Sequence, residues 1–195
     1  MRIIDISQEV LSSVVYPGDP KPQAVQYSSM SNGDLYNLSG FSMCAHNGTH
    51  VDAPAHFIAN GKTVETLCLY TFVGKCYVAH YDGDLDGQGA VGILESARNA
   101  GAEERILIAG NVTVTAAAAR VFAESGIKLL GNCGQTVGPK DAPMEVHQIL
   151  LGAGVALLEG IVLRDVVEKS YWLSAAPLNL AGFEGAPCRA YLIEQ

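Results

Sequence analysis

The sequence predicts a mixed α/β domain built on a bent sheet or partial barrel. Three observations lead there. The first 80 residues hold short β-type runs divided by turn signals, and from Val91 onward strand-like and helix-like segments alternate. A length of 195 residues suits one well-buried core and is short for two ordinary domains, so residues 1–195 read as a single unit.

Taken in order, Ile3–Ile6 reads as a short strand and Tyr16-Pro17-Gly18-Asp19-Pro20 as a turn. Gly40–Cys44 and Thr49–Asp52 read as extended, and Phe72–Ala79 is a strand by its aromatic and β-branched content. Val91–Ala100 places apolar residues at helical spacing and stops at Gly101. Arg105–Ala109 is a buried-strand run. Thr115–Ser125 is an Ala-rich helix with a threonine start and Gly126 as its stop. Lys128–Leu130 runs as a strand into a Gly-rich loop. Glu145–Leu151 is a short helix ended by Gly152; Val155–Leu163 and Arg189–Ile193 are the last strands.

Composition narrows the function. Charged residues make up 16% of the chain, against about 25% in ordinary domains. With 12 basic and 20 acidic side chains the net charge is −8, and no basic patch is present, which argues against nucleic acid or an anionic membrane as partner. So few charges leave little surface to solvate, which points to an oligomer that hides some of it. Five cysteines without a CxxC pair do not form a disulfide framework or a thiolate zinc knuckle. Asp5 and Glu9 interrupt any signal-peptide core, and no run of 18 apolar residues occurs, so the expected compartment is the cytoplasm.

The informative stretch is Ala45-His46-Asn47-Gly48-Thr49-His50-Val51-Asp52-Ala53-Pro54-Ala55-His56-Phe57. Uniformly spread, the five histidines of this chain would put about 0.3 in an eleven-residue window; this window holds three and an aspartate. Gly48 and Pro54 argue against a helix. The even offsets suit an extended chain, but ten residues of straight strand would span about 33 Å. A turn at Asn47-Gly48 brings His46 back toward His50, leaving His50 and Asp52 as neighbours on one strand face. Two imidazoles and a carboxylate then converge on one divalent cation, and a nitrogen–oxygen donor set without thiolate suits zinc or manganese. His147, alone on its helix, would more often be a core or capping residue. Glu159 stands inside an apolar strand, where a carboxylate is costly unless a cation lies beside it, or else it faces outward from an edge strand.

Together the string His46-x-Gly48-Thr49-His50-x-Asp52-x-Pro54-x-His56, His147 and Glu159 resembles the cyclase-type metal-dependent hydrolases, the family of bacterial kynurenine formamidases and isatin hydrolases. The resemblance spans nearly the whole chain, from Ile4-Asp5-Ile6-Ser7 and Tyr16-Pro17-Gly18-Asp19 to the Gly185-Ala186-Pro187-x-Arg189 close. It implies a swivelling β/β/α fold with a small antiparallel barrel and assembly as a homodimer or homotetramer. It further implies one or two metal ions, with His46, His50 and Asp52 on the first. His147 would join a second, Asp52 and Glu159 bridging, with His56 as general acid/base and Tyr16 against a small-molecule substrate. Departures lie on the substrate side. Tyr16 stands where formamidases carry Trp, Gly160 where Asn is usual, and Gly131–Gly138 replaces a Gly-Ile-Asp-x-x-Ser-x-Asp pattern.

These residues point to metal-dependent hydrolysis of a small amide, lactam or ester, or to the reverse ring closure. A metal-binding or ligand-binding module without turnover is the alternative, and retention of His56 weighs against it. No Gly-x-Ser-x-Gly elbow supports a serine hydrolase. A thiol enzyme built on Cys133 requires that cysteine to be open and ionisable.

Overall fold

The computed structural model describes residues 1–194. Its strands are β1 (Arg2–Asp5), β2 (Gln23–Ser28), β3 (Leu38–Ser42), β4 (His50–Asp52), β5 (Val73–His80), β6 (Gly83–Leu85), β7 (Arg105–Ala109), β8 (Val112–Val114), β9 (Leu129–Asn132), β10 (Ala156–Glu159), β11 (Lys169–Ser174), β12 (Gly185–Pro187) and β13 (Tyr191–Glu194). Three helices are interleaved: α1 (Gly87–Asn99), α2 (Ala116–Ser125) and α3 (Met144–Gly152).

Nine strands form one mixed sheet in the order β1-β13-β11-β5-β7-β9-β10-β4-β12. Its centre, β5-β7-β9-β10, is parallel, and both flanks are antiparallel. That division follows the sequence: helical crossovers lie between the central strands, as parallel pairing requires. The sheet curls into a half-barrel. Ile6, just past β1, donates its N–H to Ala190 O and accepts from Val162 N at 2.8 Å, so the β1–β13 flank is drawn toward the chain leaving β10. Ile6, Val51, Val78, Leu107, Leu158 and Leu192 pack inside the curl, with no helix residue among them. On the outer face Ile106, Ile108, Leu130 and Leu157 pack against Leu94, Phe122 and Leu150 of the three helices. Two smaller pairings, β2 with β3 and β6 with β8, stand apart from the main sheet.

Local signals explain the element ends. The Thr115 hydroxyl caps α2 by accepting from Ala118 N, and Gly126 ends it with φ of 77°. Helix α1 starts earlier than Val91 because Asp86 caps it from Gly89 N at 2.8 Å, which offsets Gly87 and Gly89 in its first turn. The Val155–Leu163 run is strand only as far as Glu159, because Gly160 turns the chain at φ of 68°. The strand expected at Arg189–Ile193 begins two residues later, at Tyr191.

Candidate metal centre

The turn before β4, the strand itself, the turn after it, α3 and the end of β10 each deliver part of one site. Gly48 adopts φ of 65° and reverses the chain, which places the His46 ring 5.1 Å from that of His50. Along β4, His50 and Asp52 point to one side, and both are 1% exposed. Antiparallel pairing sets His50 opposite Glu159 of β10. Helix α3 brings in His147 from the outer layer.

The polar atoms form two trios that share Asp52: His46, His50 and Asp52, then Asp52, His147 and Glu159. Asp52 Oδ1 lies 2.8 Å from His46 Nδ1 and 3.4 Å from His50 Nε2. Asp52 Oδ2 and Glu159 Oε1 lie 3.6 and 3.3 Å from His147 Nε2. Glu159 Oε2 is 3.5 Å from His50 Nε2, which ties the trios together. Such spacings resemble the roughly 3.3 Å edge of a tetrahedron whose centre lies 2.0–2.1 Å from each donor.

Three features fit a divalent cation. Asp52 Oδ2 is buried without a hydrogen-bond partner. His50 Nδ1 is 3.0 Å from Gly48 O and His147 Nδ1 is 2.9 Å from Pro143 O. Each ring donates its Nδ1 proton to that carbonyl, so in the neutral imidazole Nε2 is a lone pair. Both lone pairs face carboxylate oxygens among buried side chains, an arrangement that repels unless positive charge sits among them.

Without a metal, protons fill that role. Burial disfavours the His46 cation, but the Asp52 and Glu184 carboxylates outweigh it and raise the pKa to about 9. His50 and His147 are raised likewise, burial opposing and Glu159 and Asp52 prevailing. Asp52 is held below the usual carboxylate range, since His46 and His50 overcome the desolvation that acts against its charge. His56 differs. Burial first, with repulsion from His46 and His147, depresses its pKa below 6.5 against the pull of Asp52 and Glu159. It sits in the turn Pro54–His56, outside both trios, and stacks on His46 with ring centroids 4.1 Å apart.

A cavity of about 210 Å³ opens onto these groups. Tyr16, Asp19, Phe57, Gln135, Thr136 and Pro143 line it beside the histidines and Glu159. All five expected donors therefore meet, and His56 and Tyr16 reach the same cavity. Tyr16 spends its hydroxyl on Lys140 O at 2.7 Å. Reading the sequence did not single out Gln135, Thr136 or Glu184, whose carboxylate is 3.2 Å from His46 Nε2. Gln135 and Thr136 lie within the Gly131–Gly138 stretch that the resemblance sets on the substrate side, whereas beside Glu184 only Gly185 hints at close packing. Cys133 is absent from the cavity wall, and burial pushes its thiol pKa up, which argues against a thiol nucleophile.

Residues 4–132 match the Cyclase family model, described as "Putative cyclase". The chain is 32% identical to the kynurenine formamidase of Salinibacter ruber over 207 residues, covering 98% of this chain and 97% of that protein. It is also 32% identical to that of Bacillus cereus over 205 residues, covering 97% and 96%. A solved structure described as "Potential Metal-Dependent Hydrolase With Cyclase Activity" superposes with a TM-score of 0.81 at 26% identity, covering 98% of this chain and 96% of that one. Isatin hydrolase A from Labrenzia aggregata shares the fold at a TM-score of 0.83 and 21% identity, over 100% and 94% of the two chains. Fold, donor set and relatives together define a metal-dependent hydrolase. The chain belongs to the cyclase family.

Proposed function

We propose that this enzyme hydrolyses the carbon–nitrogen bond of a small amide or lactam, or a related small ester, in the manner of an arylformamidase. The observation that carries the reading is His56 stacked on His46 beside two trios of nitrogen and oxygen donors that share Asp52 at one cavity. His46, His50 and Asp52 would hold one ion and Asp52, His147 and Glu159 a second, zinc or manganese by donor type. Such an ion supplies Lewis acidity, which polarises a carbonyl and lowers the pKa of water toward about 7.

The chain's own groups do the rest. Burial favours the neutral His56 imidazole, which takes a proton from the attacking water at its free ring nitrogen. It then returns that proton to the leaving nitrogen, which otherwise departs as a poor anion. Phe57, 4.4 Å from the His56 ring, and the Tyr16 ring wall the cavity. We place Tyr16 against the substrate. Five unpaired cysteines suit the reducing cytoplasm. Among the described residues, no helix is long and apolar enough to cross a membrane.

The test is hydrolysis of a panel of aryl formamides, lactams and phenyl esters by protein as purified, after chelation, and after zinc or manganese is restored. Turnover that vanishes with the metal and returns with it is expected. A fully metal-loaded protein inert toward the whole panel would overturn the assignment.

A further inference from the structure

We infer that Glu184 is a positioning residue: it accepts the Nε2 proton of His46 and so turns Nδ1 toward the cation. The inference rests on the metal-centre reading above and concerns which nitrogen of His46 serves. The His46 ring lies between two carboxylates, with Nδ1 2.8 Å from Asp52 Oδ1 and Nε2 3.2 Å from Glu184 Oε1. A neutral imidazole has one proton and one lone pair, so only one of these oxygens receives a hydrogen bond. Asp52 Oδ1 is also 3.4 Å from His50 Nε2 and belongs to the first trio, so Nδ1 is the atom at the ion's side. The proton then belongs on Nε2, facing Glu184.

The backbone holds that arrangement. Strand β12 pairs with β4 so that Gly185 is opposite Asp52, and Ala53 N donates to Glu184 O at 2.8 Å. Glu184 is thus held immediately before the strand beside the ligand strand. Gly185 leaves room for the ring: a Cβ there would lie 2.7 Å from His46 Cε1. His46 is thereby the reverse of its partners. His50 and His147 donate from Nδ1 to backbone carbonyls and present Nε2. Carboxylate or carbonyl partners of this kind fix ligand orientation, and losing one typically costs 10- to 100-fold in metal affinity.

The Glu184 side chain is 43% exposed, so replacing it opens no cavity in the core. Zinc affinity would be measured by chelator competition for the wild-type protein, Glu184→Ala and Glu184→Gln, with thermal melts as fold control. Imidazole ¹⁵N spectra of the zinc-loaded wild type would report each ring's tautomer. We expect His46 protonated at Nε2 and metallated at Nδ1, with His50 and His147 the other way round. Glu184→Ala should bind zinc about 10- to 100-fold more weakly. Glu184→Gln should recover most of that, because its amide oxygen accepts the same bond. His46 metallated at Nε2, an Ala variant within twofold of wild type, or a Gln variant as weak as Ala would each overturn the inference while leaving the metal centre standing. Wild-type protein that binds no zinc or manganese would remove the metal reading and this inference together.

Discussion

Asp52 serves both trios, Oδ1 among His46 and His50 and Oδ2 toward His147, whereas His56 four residues on belongs to neither and stacks on the His46 ring. Even offsets along a chain bent at Gly48 were enough to foresee this local cluster. Glu184 was beyond that reasoning, because it lies 138 residues from His46 and no spacing rule connects them. His56→Ala should keep its metal and its fold yet lose about 10²–10⁴ in kcat/KM, or about 3–5.5 kcal/mol of barrier. Unchanged turnover, or lost metal, would remove it from the role of base. Since His56 works unprotonated and its pKa is depressed, the acid limb of the pH–rate profile should have its midpoint below 6.5. For the metal-free protein the sign at His46 is opposite. Its raised pKa contributes stability fully present below pH 6.5 and lost as pH rises through about 9, which thermal melts across that range should show.

Elements with their own end signals were readable, and those ended by a distant contact were not. Thr115 and Gly126 bound α2 through local chemistry, so Thr115→Ala should cost about 1 kcal/mol by denaturant melts, with metal content unchanged. Strand β11 has a weak signal in the sequence although Tyr171 and Leu173 face inward while Ser170 and Trp172 face outward, because this short alternation opens on the charged pair Glu168-Lys169. Gly160 ends the β10 run by its turn, and the packing around it is tight: a Cβ there would sit 2.2 Å from Gly48 O and 2.4 Å from Gln135 Nε2. Both the positive φ and that contact forbid a side chain, so Gly160→Ala should shift Glu159 and weaken the second ion position. Elemental analysis showing a full metal complement in this variant would contradict that.

For the whole molecule, the parallel centre and curled flanks follow from the order of helices and strands, but the long-range pairings of β12 and β13 carry no local signature. The β2–β3 pair and the segment joining its strands project apolar side chains into solvent, with Tyr27 66%, Leu35 93% and Phe41 63% exposed. Apolar groups gathered on one exposed ribbon, together with a 16% charged fraction, support burial against further copies of the chain. Light scattering at micromolar concentration should therefore report a multiple of 20.6 kDa, and a particle of that single mass would contradict the expected assembly.

Asp52 is the carboxylate shared by both trios, and both ion positions depend on it. Elemental analysis of wild type and Asp52→Asn, expressed alike and purified without added metal, tests it directly. One or two equivalents of zinc or manganese in the wild type, falling to background in the variant while its melt stays cooperative, is the predicted result. An Asp52→Asn protein that keeps the full metal complement would contradict the account.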